Sequence, residues 1–266
     1  MLKVPPPYDP KAAIVVIDIG NSNTGLATWQ AGELKTPISV ATGDRTAFAE
    51  AFQAHIDACP REGPPAVVIG SVVPEALKLV RWLVSETLDR EALVIGDGLP
   101  LPIDVGVLDA RAIGVDRVCA AAAAYDRLRA ACVIVDFGSA ATVDLVDDDG
   151  VLLGGAILPG PSLQLRSLHE HTAQLPAVAP GVPETAYGRN TEEAMQTGVC
   201  RGLAGAVRAI IEGYASSINR WPQTVATGGD LEFMATHCDF LDSLVPHLTL
   251  QGIGLAYAKH LTNVGA

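Results

Sequence analysis

Positive charge is scarce in this sequence. Its 266 residues include 18 Lys and Arg against 30 Asp and Glu, which gives a formal net charge of −12. Nucleic acids and anionic membranes attract basic surfaces, so this deficit argues against both as general partners. A phosphorylated ligand would need its charge met locally, by a metal ion, by backbone N–H groups or by a few Arg side chains.

Long apolar runs and paired cysteines are also missing. No run approaches the roughly 20 apolar residues that span a bilayer, and the opening stretch MLKVPPPYDPK lacks the apolar core of a signal peptide. The five Cys have no zinc-binding or redox spacing, so we expect free thiols in a reducing compartment. These features predict a cytoplasmic protein without membrane contact.

The two commonest nucleotide-binding loops are absent too. The sequence has no G-x-x-x-x-G-K-[ST] and no G-x-G-x-x-G between a strand and a helix. It has instead one kind of polar turn that occurs twice, in AIVVIDIGNSNTG (13–25) and in CVIVDFGSAATVD (132–144). In each copy an apolar strand runs into Asp-x-Gly and then into small hydroxyl or amide residues.

The elements around each turn repeat as well. Strand and turn patterns predict a three-stranded antiparallel meander whose first strand ends at each turn, followed by helices and further strands. We predict helices over 44–58, 74–88, 116–131, 161–175, 190–218 and 248–261, with a break near the glycines of the fifth. The repeat indicates a duplicated α/β fold, with domains over 12–130 and 131–266 and a ligand cleft between them.

The paired turns suit a phosphorylated ligand. Glycine allows successive backbone N–H groups to face one concavity that binds phosphate oxygens, and a strand-end Asp can hold a cation that bridges them. Asp18 and Asp136 are the two carboxylates in these positions. Tight hairpins also use Asp and Gly, but the recurrence at equivalent places in two half-chains favours the ligand.

A third carboxylate of interest opens a predicted helix in IGVDRVCAAAAAY (113–125). Asp116 could be an ordinary N-cap, or it could take a proton from a hydroxyl group. Arg117 beside it could bind a carboxylate or a phosphate oxygen.

The ordered set of motifs resembles the type III pantothenate kinases, of the acetate and sugar kinase/Hsp70/actin superfamily. The set extends from about residue 13 to about residue 260 and comprises DIGNSNT, GSVVP, GVDR, VDFGSAATVD, GGAILPG, HTAQLP, GRNTEEAMQTG and ATGGD. The resemblance implies a duplicated actin-like ATPase fold of the ribonuclease H-like type, with a nucleotide cleft between two domains. It also implies a homodimer that phosphorylates pantothenate with ATP, the first step of coenzyme A synthesis, using Mg²⁺ and potassium or ammonium.

The resemblance implies a role for each matching residue. Asp116 matches the proton acceptor, Asp136 matches the ligand of the monovalent cation, and Asp18 is expected to hold Mg²⁺ directly or through water. The implied ATP-binding residues are Asp18, Ile19, Gly20, Asn21, Ser22, Asn23, Thr24, Gly25, Ser139, Gly228 and Gly229. The implied pantothenate-binding residues are Val107, Gly114, Val115, Asp116, Arg117 and Thr191.

One segment departs from the family pattern. Family members usually carry an aromatic residue and then Asn-Pro shortly before Gly-Ala-Asp-Arg, whereas this chain reads Val107-Leu108-Asp109-Ala110 there and has Val115 in place of the Ala. Two alternatives therefore stay open. One is a kinase of the same fold for another small hydroxy compound, and the other is a non-catalytic nucleotide-binding regulatory relative.

Two further polar patterns are interpreted as structural. His169 and His171 are two residues apart, so on a helix they face different directions rather than a shared metal ion. The three Asp residues at 147–149, before Gly150, are typical of a hairpin turn.

Overall fold

The structure is a computed structural model that describes residues 12–59, 65–109, 112–182 and 185–264. The chain forms two compact units. The first contains the described chain before Leu128 together with the segment from His247 onward, and the second contains Leu128–Pro246.

Strands and helices alternate along the described residues. The strands are β1 (Ile14–Ile19), β2 (Asn23–Gln30), β3 (Glu33–Ala41), β4 (Val67–Ser71), β5 (Leu93–Ile95), β6 (Gly98–Leu99), β7 (Asp104–Val105), β8 (Cys132–Phe137), β9 (Ala140–Val146), β10 (Val151–Pro159), β11 (Gln223–Thr227) and β12 (Ser243–Leu244). The helices are α1 (Arg45–Ala58), α2 (Pro74–Leu88), α3 (Val115–Leu128), α4 (Pro161–Glu170), α5 (Thr191–Ser217), α6 (Leu231–Ala235) and α7 (Leu248–Val264).

The first unit is built on a mixed sheet with the strand order β3-β2-β1-β4-β5-β6. β1, β2 and β3 form an antiparallel meander, and β4 lies parallel to β1 on its other side. Because successive side chains of a strand point to opposite faces, β1 contributes to two cores. Its odd-numbered residues pack against α1 and α2, and its apolar even-numbered residues pack against α3 and α7.

The second unit repeats this plan with the strand order β12-β11-β8-β9-β10. β8, β9 and β10 form an antiparallel meander, and β11 lies parallel to β8. One face of this sheet is covered by α5 and α6, whose apolar side chains pack against Val133, Val135 and Phe137 of β8.

β1 and β8 occupy the same place in the two sheets. Both are six residues long, and in both the fifth residue, Asp18 or Asp136, is the one partly exposed position among buried apolar side chains. The repeated meander that the sequence predicts is confirmed. It places each Asp-x-Gly turn at the carboxyl end of a strand flanked by one antiparallel and one parallel neighbour.

Four helices differ from the sequence-based predictions: α3 ends at Leu128 rather than near residue 131, α7 continues to Val264 rather than ending near residue 261, and α4 and α5 differ as follows. α5 is a continuous helix of 27 residues, without the break expected at its glycines. Leu203, Val207 and Ile211 hold one face of α5 against the core, and this tertiary packing outweighs the low helix propensity of glycine. α4 ends at Glu170 rather than near residue 175, with the N–H of His171 donating to the carbonyl of Ser167.

The C-terminal helix also differs from expectation. A division into 12–130 and 131–266 assigns it to the second domain, but α7 belongs to the first unit. Leu250, Ile253 and Ala256 of α7 are buried in the same core as Ile14 and Val16 of β1. No helix in the described part of the chain is long and apolar enough to cross a membrane.

Candidate phosphate and acceptor site

Asp18 lies in β1 between two glycines. Its register partners are Gly25 in β2 and Gly70 in β4, so neither partner has a side chain beside the carboxylate. The glycines also let α7 approach the sheet. A Cβ on Gly70 would lie 3.0 Å from Cδ1 of Ile253, and one on Gly25 would lie 3.3 Å from Cδ1 of Leu250. Gly25 therefore shapes the surroundings of Asp18 through packing.

The turn after β1 closes tightly at Gly20. The N–H of Gly20 donates to the carbonyl of Asn23 at 3.0 Å, and a Cβ on Gly20 would lie only 2.9 Å from that same oxygen. Gly20 is not among the residues with positive φ, so its backbone conformation does not demand glycine. The close approach of the Asn23 carbonyl oxygen does. The side chain of Ile19 is fully buried, so only its backbone could contact a ligand. The carbonyl of Ile19 already accepts a hydrogen bond from the N–H of Val72.

The polar residues of this turn divide into two groups. The side chains of Asn21, Ser22 and Asn23 are exposed. Thr24 is 3 % exposed, and its hydroxyl contacts the hydroxyl of Thr42 at 3.0 Å. Thr42, which follows β3, was not singled out from the sequence, since a lone Thr after a strand carries no recognisable signal.

Asp116 lies in the first turn of α3. The helix begins at Val115, and the N–H of Val118 donates to the carbonyl of Gly114 at 3.3 Å, so Gly114 is the N-cap residue and Asp116 is the second helical residue. The interpretation of Asp116 as the N-cap is therefore wrong. Its Oδ1 accepts from the N–H of Arg117 at 2.8 Å, and a Cβ on Gly114 would lie 2.4 Å from this oxygen.

Asp18 and Asp116 act on the same buried group. Burial, and then the charges of Asp18 and Asp116, raise the pKa of the Cys119 thiol well above its usual range. Cys119 is fully buried on α3, one turn after Asp116. Since both carboxylates influence one sulfur, they lie in one region of the first unit around Cys119.

Backbone neighbours explain how this region forms. The N–H of Val72, just after β4, donates to the carbonyl of Ile19, and Cγ1 of Val72 would lie 3.6 Å from a Cβ on Gly114. Val115 packs against the core that contains α7. The parallel pair β1–β4 therefore ends next to the start of α3, which places the candidate site residues Gly114 and Asp116 near the turn that follows Asp18.

The second Asp-x-Gly turn has its own close partners. β11 lies beside β8 with Thr227 opposite Asp136. Gly228 has φ +110°, and a Cβ there would lie 2.6 Å from Oδ1 of Asp136 and 2.3 Å from the carbonyl oxygen of Phe137. Gly228 is therefore required both by its backbone conformation and by its contact with the Asp136 carboxylate. Gly229 is exposed and has no such neighbour.

Two residues near this turn were missed as site residues. Gly160 donates its N–H to the carbonyl of Ser139 at 3.0 Å, and a Cβ there would lie 2.0 Å from the carbonyl of Gly138. Asp230 donates its N–H to the carbonyl of Phe137, and burial raises the pKa of its carboxyl group. Ser139 itself is exposed. Gly160 lies within the quoted motif GGAILPG and Asp230 within ATGGD, so the motifs contained this signal.

Thr191 belongs to a separate part of the second unit. It is the first residue of α5 and lines a pocket of about 800 Å³ between α4 and α5. The pocket is mainly apolar, with Leu163, Leu168 and Met195 among its lining residues.

The segment that departs from the family pattern is open to solvent. Val107 is partly exposed, Leu108 is fully exposed and Asp109 is exposed. Ala110 lies outside the described residues. Arg117, the remaining acceptor candidate, is partly exposed in the first turn of α3.

The patterns interpreted as structural show no site chemistry. Nδ1 of His169 contacts the carbonyl of Leu175 at 2.8 Å, whereas His171 follows the end of α4. The Asp147 carboxylate accepts from the N–H groups of Asp149 and Val151, as in a hairpin turn. Among the described residues, no group of three His, Cys, Asp or Glu side chains could hold a metal ion.

Comparison with known proteins identifies the family. The family model for type III pantothenate kinase matches residues 14–213. The type III pantothenate kinase of Anaeromyxobacter sp. (strain K) is 32% identical over 252 residues, covering 93% of this chain and 99% of that protein. The type III pantothenate kinase of Moorella thermoacetica is 31% identical, again over 93% of this chain and 99% of the relative.

Solved structures agree on the fold. A Baf family protein from Campylobacter jejuni superposes with a TM-score of 0.61 at 19% identity, over 95% of this chain and 100% of that chain. A ROK family glucokinase from Streptomyces griseus, solved with glucose and AMPPNP, gives 0.50 at 12% identity, over 92% and 98%.

The fold is thus the duplicated actin-like ATPase fold that the family resemblance implies. The matches in sequence span nearly the whole chain, and the range that the family model matches contains both Asp-x-Gly turns and the start of α3. This protein belongs to the type III pantothenate kinase family.

Proposed function

We propose that this protein transfers the γ-phosphoryl group of ATP to a hydroxyl of pantothenate, giving 4'-phosphopantothenate and ADP, the first step of coenzyme A biosynthesis. The observation that carries the proposal is the contact of Val72 with both Ile19 and Gly114, within a chain of this family. This contact brings the turn after Asp18 and the start of α3, with Asp116, into one region of the first unit.

Asp116 is the proposed general base. As the pantothenate hydroxyl oxygen forms its bond to the γ-phosphorus, the bond to the ADP oxygen breaks and the hydroxyl proton moves to the Asp116 carboxylate. The N–H of Arg117 fixes one carboxylate oxygen and leaves the other for the acceptor. We assign the Arg117 guanidinium to the carboxylate of pantothenate, with Gly114, Val115, Val107 and Thr191 as further acceptor contacts.

The two Asp-x-Gly turns are the proposed phosphate loops. In the first, backbone N–H groups and the exposed side chains of Asn21, Ser22 and Asn23 bind phosphate oxygens. In the second, the exposed Ser139 hydroxyl does so. Gly228 and Gly229 form the proposed turn for the adenosine.

Cations supply the positive charge that this acidic chain lacks. Asp18 is the proposed ligand of Mg²⁺, directly or through water, because Mg²⁺ binds carboxylate and phosphate oxygens. Bound there, Mg²⁺ would neutralise charge on the phosphates. Asp136 is the proposed ligand of potassium or ammonium, because its Oδ1 and the carbonyl oxygen of Phe137 both lie within 3 Å of the position that a Cβ on Gly228 would take.

We propose that the protein works as a homodimer. The apolar pocket between α4 and α5 includes Thr191 and the exposed Leu163, so a partner that covers this pocket would also enclose an acceptor contact. Sedimentation equilibrium at assay concentration checks this, and a fully active monomer would rule it out.

A second candidate function keeps the fold and the phosphate loops but changes the acceptor. The segment that begins at Val107 lacks the aromatic residue and the Pro of the family pattern, and Val107 and Leu108 are both accessible to solvent. An ADP-release assay with pantothenate and a panel of small hydroxy acids separates the candidates. Pantothenate-dependent ADP release supports the first, release with another acceptor only supports the second, and ATP binding without release supports a regulatory relative.

A further inference from the structure

Thr42 lies outside every motif of the sequence yet makes three hydrogen bonds to the first phosphate loop. Its N–H donates to the carbonyl of Ser22 at 3.0 Å, its hydroxyl donates to the carbonyl of Gly20 at 2.7 Å, and its Oγ1 also contacts the hydroxyl of Thr24 at 3.0 Å. Thr42 follows the end of β3, the edge strand of the first sheet.

The hydrogens of these two hydroxyls can be assigned by counting. Each hydroxyl has one hydrogen, and a carbonyl oxygen can only accept. Thr42 must therefore donate its hydrogen to Gly20, and Thr24 must donate its own hydrogen to Thr42. Thr24 has no hydrogen left for a phosphate oxygen, so its hydroxyl supports the loop rather than binding ATP.

The carbonyl contacts also orient the N–H groups of the loop. In a planar trans peptide, the C=O and the following N–H point in opposite directions. Pinning the carbonyls of Gly20 and Ser22 toward Thr42 therefore directs the N–H groups of Asn21 and Asn23 away from Thr42. The same contacts turn the carbonyl oxygens of Gly20 and Ser22 away from an anion that binds on the side of these N–H groups.

We propose that Thr42, with Thr24 as its donor, is a positioning residue that presets the first loop for the phosphates of ATP. The inference rests on the proposed role of this loop in ATP binding. It predicts a specific loss: without the Thr42 hydroxyl, the Gly20–Asn21 peptide is free to rotate its carbonyl toward the phosphates. Nucleotide affinity then falls, while contacts to the acceptor are preserved.

The test compares Thr42→Val, which keeps the shape but loses the hydroxyl, with Thr42→Ser, which keeps the hydroxyl. Calorimetry gives the Kd for ATP, and steady-state kinetics give KM for ATP and for pantothenate. We expect Thr42→Val to raise Kd and KM for ATP about tenfold with KM for pantothenate unchanged, and Thr42→Ser to stay within about twofold of wild type. Thr42→Cys, with a weak S–H donor, gives the same comparison if Val prevents folding.

Thr262→Val is the matched control, since Thr262 donates its hydroxyl to the carbonyl of Ala258 from an exposed site on α7. It should leave both KM values at the wild-type level. If the wild-type protein binds ATP and Thr42→Val binds it equally well, the positioning role is overturned, but the proposed function is not. A wild-type protein that does not bind ATP would overturn the proposed function and this inference together. Equal losses in Thr42→Val and Thr42→Ser would also contradict the role of the hydroxyl.

Discussion

The Asp116 carboxylate combines a structural contact with a proposed chemical role. One oxygen accepts from the N–H of Arg117 in the first turn of α3. Asn has an oxygen that can make the same bond, and it is nearly isosteric with Asp. What Asn lacks is the basicity needed to accept a hydroxyl proton, so the substitution separates the two roles.

Asp116→Asn should therefore lower kcat by about 10²–10⁴-fold, as removal of a general base typically does. The Kd for ATP and the melting temperature should stay close to wild type, because the loop after Asp18 and the bond to Arg117 are kept. Steady-state kinetics, calorimetry and thermal unfolding measure the three quantities. Asp126→Asn, on the same helix, is the control. A kcat for Asp116→Asn within about threefold of wild type would exclude Asp116 as the base.

His237 is a residue whose titration should be visible in stability. Burial, and then the charge of Arg201, lowers the pKa of its imidazole below the ordinary 6.5, and its Nε2 is buried without a hydrogen-bond partner. Between the lowered pKa and 6.5, the unfolded chain binds more protons than the folded one. The free energy of unfolding should thus decline as the pH falls from 6.5 through the lowered pKa.

His237→Phe keeps a ring at this position and removes the titration. We expect the decline in stability over this pH window to be smaller in the variant than in wild type, as measured by chemical denaturation at several pH values. All other residues are the same in both proteins, so the difference isolates His237. Identical pH profiles would show that the His237 ring is charged or neutral to the same degree in the two states.

At the scale of elements, the glycines of α5 and α7 serve opposite purposes. A Cβ on Gly213 of α5 would meet nothing within 4 Å beyond its own helix, whereas one on Gly252 of α7 would lie 1.9 Å from the carbonyl of Cys119. Gly213 therefore lowers the stability of α5 without allowing a close contact, whereas Gly252 allows α7 to contact α3.

Gly213→Ala should raise the free energy of unfolding by about 0.5–1 kcal/mol, because Ala loses less backbone entropy in a helix. Gly252→Ala should lower it by about 1–3 kcal/mol or more, because the added methyl overpacks the contact with α3. Urea denaturation of both variants makes the comparison. A destabilised Gly213→Ala would indicate that α5 is not a continuous helix at that point.

The sequence predicts the strands better than it predicts the ends of the helices and the cores against which the helices pack. The nearly continuous apolar runs IVVIDI and CVIVDF predict strands that are buried on both faces, and the structure shows both strands buried in this way. The continuity of α5 depends on the packing of Leu203, Val207 and Ile211, and the grouping of α7 with β1 depends on a contact between distant parts of the chain. Local patterns do not encode such contacts.

The candidate site was predictable to a similar extent. Its carboxylates stand in motifs, so Asp18, Asp116 and Asp136 could be named from the sequence. Thr42 could not, because its relevance comes from the antiparallel pairing of β2 and β3, which brings it to the loop 22 residues away in sequence. The buried position of Thr24 likewise follows from that pairing rather than from its motif.

At the scale of the whole molecule, a net charge of −12 makes cations part of the proposed mechanism. If Asp136 holds potassium or ammonium near the phosphates, replacing potassium with sodium at constant ionic strength should greatly reduce kcat. Rubidium, which is close to potassium in size, should partly restore it. Asp136→Asn should have a low kcat in all of these salts, because a ligand of the cation is lost. Equal wild-type rates in sodium and potassium would contradict the assignment of Asp136.

The central claim, that this chain phosphorylates pantothenate, is tested most directly by identifying the product. Wild-type protein is incubated with ATP, Mg²⁺, potassium and pantothenate, and phosphopantothenate and ADP are quantified together by mass spectrometry. The account predicts that both accumulate in equal amounts and that omitting pantothenate abolishes ADP formation. ADP formation without phosphopantothenate, or the absence of both products from a folded protein that binds ATP, would contradict it.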